Sequence, residues 1–188
     1  MSSSSSTTSS EQESDSEQEN PFLYYSALQP ETAENVDCYE DAGLHPVHLN
    51  DILSASDNGR YRILHKLGSG CFSTVWFGQN LDKTHPGHRG VAVKYIAADQ
   101  TGRSHEVEIN KYLASRSSED TGFQNFALCL DTFQATGPNG VHDIIVSEPA
   151  VLLRDLIYAD AIEHLDDRLI FQQALSGVGL LHTHGVVH

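Results

Sequence analysis

Apolar and polar residues alternate along much of residues 60–147, and that alternation predicts strands. Tyr61, Ile63 and Leu67 fall on one face of an extended segment, with Arg62 and Lys66 on the other. Thr74 to Gly78 reads as a second strand. Gly90 to Ile96 reads as a third, in which Val91, Val93 and Tyr95 alternate. Leu128 to Ala135 and Val141 to Ser147 make two more, and Gly137-Pro138-Asn139-Gly140 between them is a hairpin signal. The period changes at His105 to Leu113, where Val107, Ile109 and Leu113 stand among polar residues as in a helix. After the fifth strand, Val151 to Tyr158 predicts a short helix. Ile162 to His182 predicts a long one, with Phe171, Ala174, Val178 and Leu181 at helical spacing.

The order is five strands with one helix after the third, then helices. Short connections make the sheet mostly antiparallel, so the class is α+β and not a βαβ alternation. Residues 1–20 are Ser, Thr, Glu, Gln, Asp and Asn almost throughout. They cannot bury enough apolar surface to offset the entropy of ordering, and are expected to be a disordered tail. Its Ser10, Ser14 and Ser16 each precede a glutamate by three residues, a pattern for an acid-directed kinase that a polar tail also produces by chance. Residues 21–59 gain aromatic and aliphatic side chains without a clear period and read as a partly ordered lead-in. Phe22, Leu23, Tyr24 and Tyr25 are its candidates to dock on the sheet domain. The sheet domain is 60–150 and the helical part 151–188.

Charge sharpens the same boundary. Residues 1–59 carry a net −12 and residues 60–188 a net −3, which gives −15 for the 188 residues. Such a chain does not seek nucleic acid electrostatically. Cys38, Cys71 and Cys129 are three and far apart, which gives neither a zinc spacing nor a disulfide framework. The serine-rich start lacks the basic and apolar regions of a signal peptide, and no apolar run approaches the ~20 residues of a membrane span. A soluble intracellular monomer without membrane or nucleic-acid partners is the expectation.

Candidate chemistry lies at Gly68-Ser69-Gly70-Cys71-Phe72-Ser73-Thr74-Val75 and at Lys94. A dinucleotide fingerprint needs a helix after its glycines and an acid about twenty residues on; here strand-forming residues come next, and position 94 is lysine. A Walker loop needs Gly-Lys-Ser/Thr, which is absent. A glycine turn between two strands, then a lysine on a third, fits the loop with which protein kinases hold ATP phosphates. A plain glycine hairpin and a snorkelling edge lysine are the bland alternatives. Glycines there let backbone N–H groups approach phosphate oxygens, with Phe72 at the tip and Val75 over the adenine. A lysine among apolar residues needs a partner. Glu106 and Glu108 are both candidates, and Glu106 is favoured because Ile109, three residues on, puts an apolar side chain on its face.

These segments resemble the protein kinase fold and, within it, the SR-protein kinases. Leu44-His45-Pro46-Val47-His48-Leu49-Asn50-Asp51-Ile52-Leu53 is similar to that family's lead-in, and Arg60 to Gly68 to its first strand. Phe72-Ser73-Thr74-Val75-Trp76 carries the family's serine in place of a third glycine. The resemblance covers about residues 36–188. It implies a kinase N-lobe, five strands plus one helix, and then the first helices of a C-lobe. The implied activity is ATP-dependent phosphorylation of Ser/Thr in proteins, typically Arg/Ser-rich, with Mg²⁺, in cytoplasm or nucleus. The implied catalytic pair is Lys94 and Glu106. The implied nucleotide contacts are Leu67, Gly68, Ser69, Gly70, Cys71, Phe72, Ser73, Val75, Ala92 and Lys94, then Ser147 as gatekeeper and the hinge backbone of Glu148 and Ala150.

By the same resemblance, His188 begins the His-x-Asp motif of the catalytic loop. The catalytic aspartate and the Mg²⁺ ligands would come after it, so no metal ligand is assigned within these residues. The expectation for the 188 residues alone is nucleotide binding without turnover, or a partner-binding role. His182, His184 and His188 have no established metal spacing.

Overall fold

Six strands form one antiparallel sheet in the order β1-β2-β3-β4-β6-β5: β1 (Ile52–Ser54), β2 (Arg60–Gly70), β3 (Ser73–Asn80), β4 (Gly90–Ile96), β5 (Cys129–Gly137) and β6 (Gly140–Ser147). Helix α1 (Glu106–Arg116) lies between β4 and β5, and α2 (Asp167–Thr183) comes after the sheet. The computed structural model describes residues 34–55, 59–82, 89–117, 121–127, 129–150, 153 and 166–187. The tail at 1–20, Phe22 to Tyr25, Leu128, most of the Val151–Tyr158 helix, Ile162 and His188 lie outside them.

The five-strand expectation is corrected by β1. Ile52, Leu53 and Ser54 pair with Arg62, Tyr61 and Arg60, so the lead-in supplies an edge strand. Three residues are too few to show a period of two.

Alternation sorts the sheet into two faces. Tyr61, Ile63, Trp76, Val91, Val93, Tyr95, Ile144 and Val146 form the core on one of them. Tyr61 of β2 stacks on Phe133 of β5, with ring centroids 6.1 Å apart, and donates its hydroxyl to Asp131 at 3.0 Å. Three strands separate β2 from β5, so this contact requires a strongly curled sheet with the core in its concavity. The buried Trp76 indole N–H is satisfied by Thr74 Oγ1 at 3.0 Å, which removes the cost of an orphan donor.

The lead-in closes this core. Leu44 is buried, and Val47 and Leu53 pack against the cluster. Asn139, in the two-residue turn between β5 and β6, donates to Tyr39 O and Leu44 O, and its own carbonyl accepts from Ala42 N at 2.9 Å. Glu34 takes hydrogen bonds from Lys66 and Tyr39. Burial alone would raise its carboxyl, but those bonds bring it down to about 2. Their stabilisation is present above the ordinary carboxyl value of 4.5 and fades as pH falls toward about 2.

Helix α2 starts at Asp166, whose side chain accepts from Arg168 N and Leu169 N, an N-cap. It docks through Gly177 and Leu180 on the 3-10 turn Thr121–Asn125 and its neighbour Phe126. The spacing Phe171, Ala174, Val178, Leu181 marks a different stripe. Ala174, Val178 and Leu181 line a cleft of about 570 Å³ beside Phe126 and Pro149, while Phe171 is 68% exposed. No described helix is long and apolar enough to cross a membrane.

Candidate nucleotide site

β2 and β3 bring the glycine segment over Lys94. In register, Gly68 lies opposite Val75, Val75 opposite Lys94, and Lys94 opposite Ile145. One step along, Ala92 lies between Phe77 and Ser147. Val75, Lys94, Ala92 and Ser147 thus share the sheet face away from the core. Thr74 to Phe77, β-branched and aromatic, continue as strand where a dinucleotide loop would turn into helix.

The turn itself is Cys71–Phe72, and its tip is tied down: Phe72 O accepts from Ala97 N at 2.9 Å, just past the end of β4. Neither Gly68 nor Gly70 has positive φ. A Cβ at Gly68 would meet nothing within 4 Å, and one at Gly70 only Ser73 Oγ at 3.9 Å. Nothing in the fold requires these glycines, and their bare backbone faces open space. That fits a group approaching closely from outside, as a phosphate does.

Lys94 Nζ donates to Glu106 Oε1 at 2.5 Å. Glu106 occupies the first turn of α1, where its own N–H donates to Ser104 Oγ at 3.2 Å and the helix dipole favours a carboxylate. Glu108 faces solvent and approaches His105 Nδ1 at 3.3 Å. The apolar companion expected for Glu106 is absent, because Ile109 is 37% exposed. The half-buried residues on its side are Asn110, which donates to Glu106 O at 2.9 Å, and Leu113.

A cleft of about 230 Å³ lies between the turn and the helix, lined by Cys71, Phe72, Ser73, Lys94, Ile96, Gln100, Ser104 and Glu106. Ile96, Gln100 and Ser104 were not legible as site residues. Ser104 carried a signal, since serine at a helix start accepts an N–H two residues on. Leu67, beside the cleft in sequence, is 40% exposed and falls within a register shift between Lys66 and Gly68. Glu148 is not brought to this cleft: with Pro149 it lines the larger cleft against α2, and Ala150 is exposed. Ser147 donates its hydroxyl to Glu148 O at 3.3 Å. Among the described residues no group of three or more His, Cys, Asp or Glu side chains is placed to hold a metal ion.

No family model matches the chain. Curated relatives do. A serine/threonine protein kinase of Aspergillus fumigatus is 36% identical over 157 residues, 79% of this chain and 37% of the relative. The serine/threonine-protein kinase spk-1 of Caenorhabditis elegans is 34% identical over 158 residues, 80% of this chain and 15% of the relative. SRSF protein kinase 3 of Homo sapiens is 31% identical over 152 residues, 77% of this chain and 25% of the relative. The matched part is thus well under half the length of each relative. These likenesses place the chain among the serine/threonine protein kinases. Within that class the chain belongs to the SR-protein kinase family.

Proposed function

We propose that residues 60–150 are the ATP-binding portion of an SR-protein-kinase-like enzyme. The phosphates lie beneath the Gly68–Ser73 turn, with Lys94 on their oxygens and Glu106 holding the ammonium in place. Val75 and Ala92 lie over the adenine, and the Ser147–Ala150 passage meets its edge. The γ-phosphoryl group goes to Ser/Thr of a protein, in keeping with the kinase names of the relatives, and Arg/Ser-rich segments are the substrate class the family resemblance favours. The observation that carries this is the Lys94–Glu106 pair on the wall of a cleft whose opposite side is the glycine turn.

ATP titration of two single variants tests it. Glu106→Gln frees the Lys94 ammonium to wander and is expected to weaken ATP binding by about threefold to tenfold, less than the loss of a whole charge-assisted hydrogen bond because the ammonium that meets the phosphates remains. Glu108→Gln, changed on the solvent side of the same helix, is expected to bind as the parent does. Equal affinities in all three proteins, or no saturable binding at all, overturn the reading.

A further inference from the structure

Two histidines on the core face of the sheet lie outside the nucleotide cleft. His142 of β6 is fully buried, with Nδ1 2.9 Å from Ile96 O. A carbonyl only accepts, so Nδ1 carries the proton and Nε2 is a bare acceptor; no donor among the described residues reaches it. His45 of the lead-in lies across it, ring centroids 4.8 Å apart, and stacks on Tyr95 at 5.2 Å. Its own Nδ1 is buried without a partner among the described residues, pressed on Gly137, where an added Cβ would come within 2.2 Å of it.

Two imidazoles in contact, each with an unpartnered buried nitrogen, are tolerated neutral and penalised charged. The titratable groups around His45 are His48 and Asp51 of the lead-in, Tyr95 of β4 and His142 of β6. Burial and His142 push its pKa down, Asp51 pulls it up, His48 pushes down, and the net is below the ordinary 6.5. The segment is also held in place by contacts that its local conformation does not favour. Ala42 and Asn50 have φ of 62° and 70°, which L residues adopt where the surroundings impose it. Its backbone is bonded to Asn139 O, and to Ala98 N and Asp99 N, ahead of α1.

We propose that the His45–His142 contact is a proton-operated latch: with His45 neutral, it keeps residues 38–51 docked on the sheet, and protonation of His45 releases them. Released, His45 has its ordinary pKa and, docked, a lower one, so the released state binds more protons. Docking is therefore complete above about pH 6.5 and weakens below it, by up to about tenfold per pH unit.

Amide exchange of the full chain without nucleotide, corrected for intrinsic rates, tests this between about pH 7.5 and about pH 5.5. Protection of Ala42, Leu44 and Asp99 is expected to fall about tenfold or more, in step with proton uptake by His45 monitored by NMR. The paired variant His45→Phe with His142→Asn keeps the stack on Tyr95 and a donor for Ile96 O but cannot charge, and its protection stays level. Protection that holds to pH 5.5 in the parent chain overturns the latch, as does a fall of equal size in the paired variant. If that variant does not dock at neutral pH, the parent titration decides alone: loss of protection without ring protonation, or ring protonation without loss, contradicts the proposal. None of these readouts depends on ATP binding.

Discussion

Lys94→Met is expected to weaken ATP binding by about tenfold to a hundredfold while leaving the fold intact. Methionine keeps the unbranched stem and removes the ammonium. Hydrogen bonds to charged groups are worth about 1.5–3 kcal/mol, and each 1.4 kcal/mol is about tenfold in affinity. The effect on stability is small by comparison. Lys94 and Glu106 side chains are 30% and 37% exposed, and pairs that wet contribute at most about 1 kcal/mol. Calorimetric titration with ATP, beside a thermal melt, separates the two effects. Equal ATP affinity in both proteins would remove Lys94 from the site. A melt lowered by tens of degrees would instead mean that the lysine is structural.

Phe123→Ala is expected to cost about 3–5 kcal/mol, the range for truncating a buried phenylalanine. Phe123 is 2% exposed in the 3-10 turn between α1 and β5, and touches Phe126 at 6.0 Å and His184 at 5.5 Å between ring centroids. Phe126 in turn packs on Gly177 of α2. These rings are the main attachment of a helix that otherwise exposes Leu169, Phe171 and Leu175 by more than half. A 17-residue helix is marginal on its own in water, so its detachment should remove helical signal. Urea unfolding monitored by circular dichroism checks this. A change under about 1 kcal/mol with unaltered helicity would show that α2 is held by other contacts.

Much of the sheet was legible because one face is buried. Val91, Val93 and Tyr95 alternate into the core as the period of two requires, and Gly137 to Gly140 turns the last hairpin with Gly137 paired to Gly140. β2 was less legible. Tyr61 and Ile63 are fully buried, but register shifts after Ile63 and after Lys66 each set two residues of β2 against one of β3, which turns Leu67 off the face it shares with them on paper. A bulge is decided by pairing between strands and leaves no period in the sequence. The glycine turn and Lys94 could be read from residue types in order. The choice of Glu106 over Glu108 could not be read securely, because α1 buries no residue fully and so has no clear inner stripe. The companion expected for Glu106 was Ile109; its actual neighbours are a backbone-bonded asparagine and Leu113. Gln100 and Ser104 reach the cleft through the connection after β4, whose path no local pattern fixes.

If ATP binds between the glycine turn and Lys94, the backbone amides around that cleft must sense it. Amide shifts of the full chain during titration with ATP read this out residue by residue. Saturable shifts are expected to concentrate at Gly68 to Ser73, Lys94 and Gln100 to Glu106, with further shifts at Ser147, Glu148 and Ala150 where the adenine edge is proposed to lie. Saturable binding with those amides unmoved and the shifts elsewhere on the chain would contradict that placement.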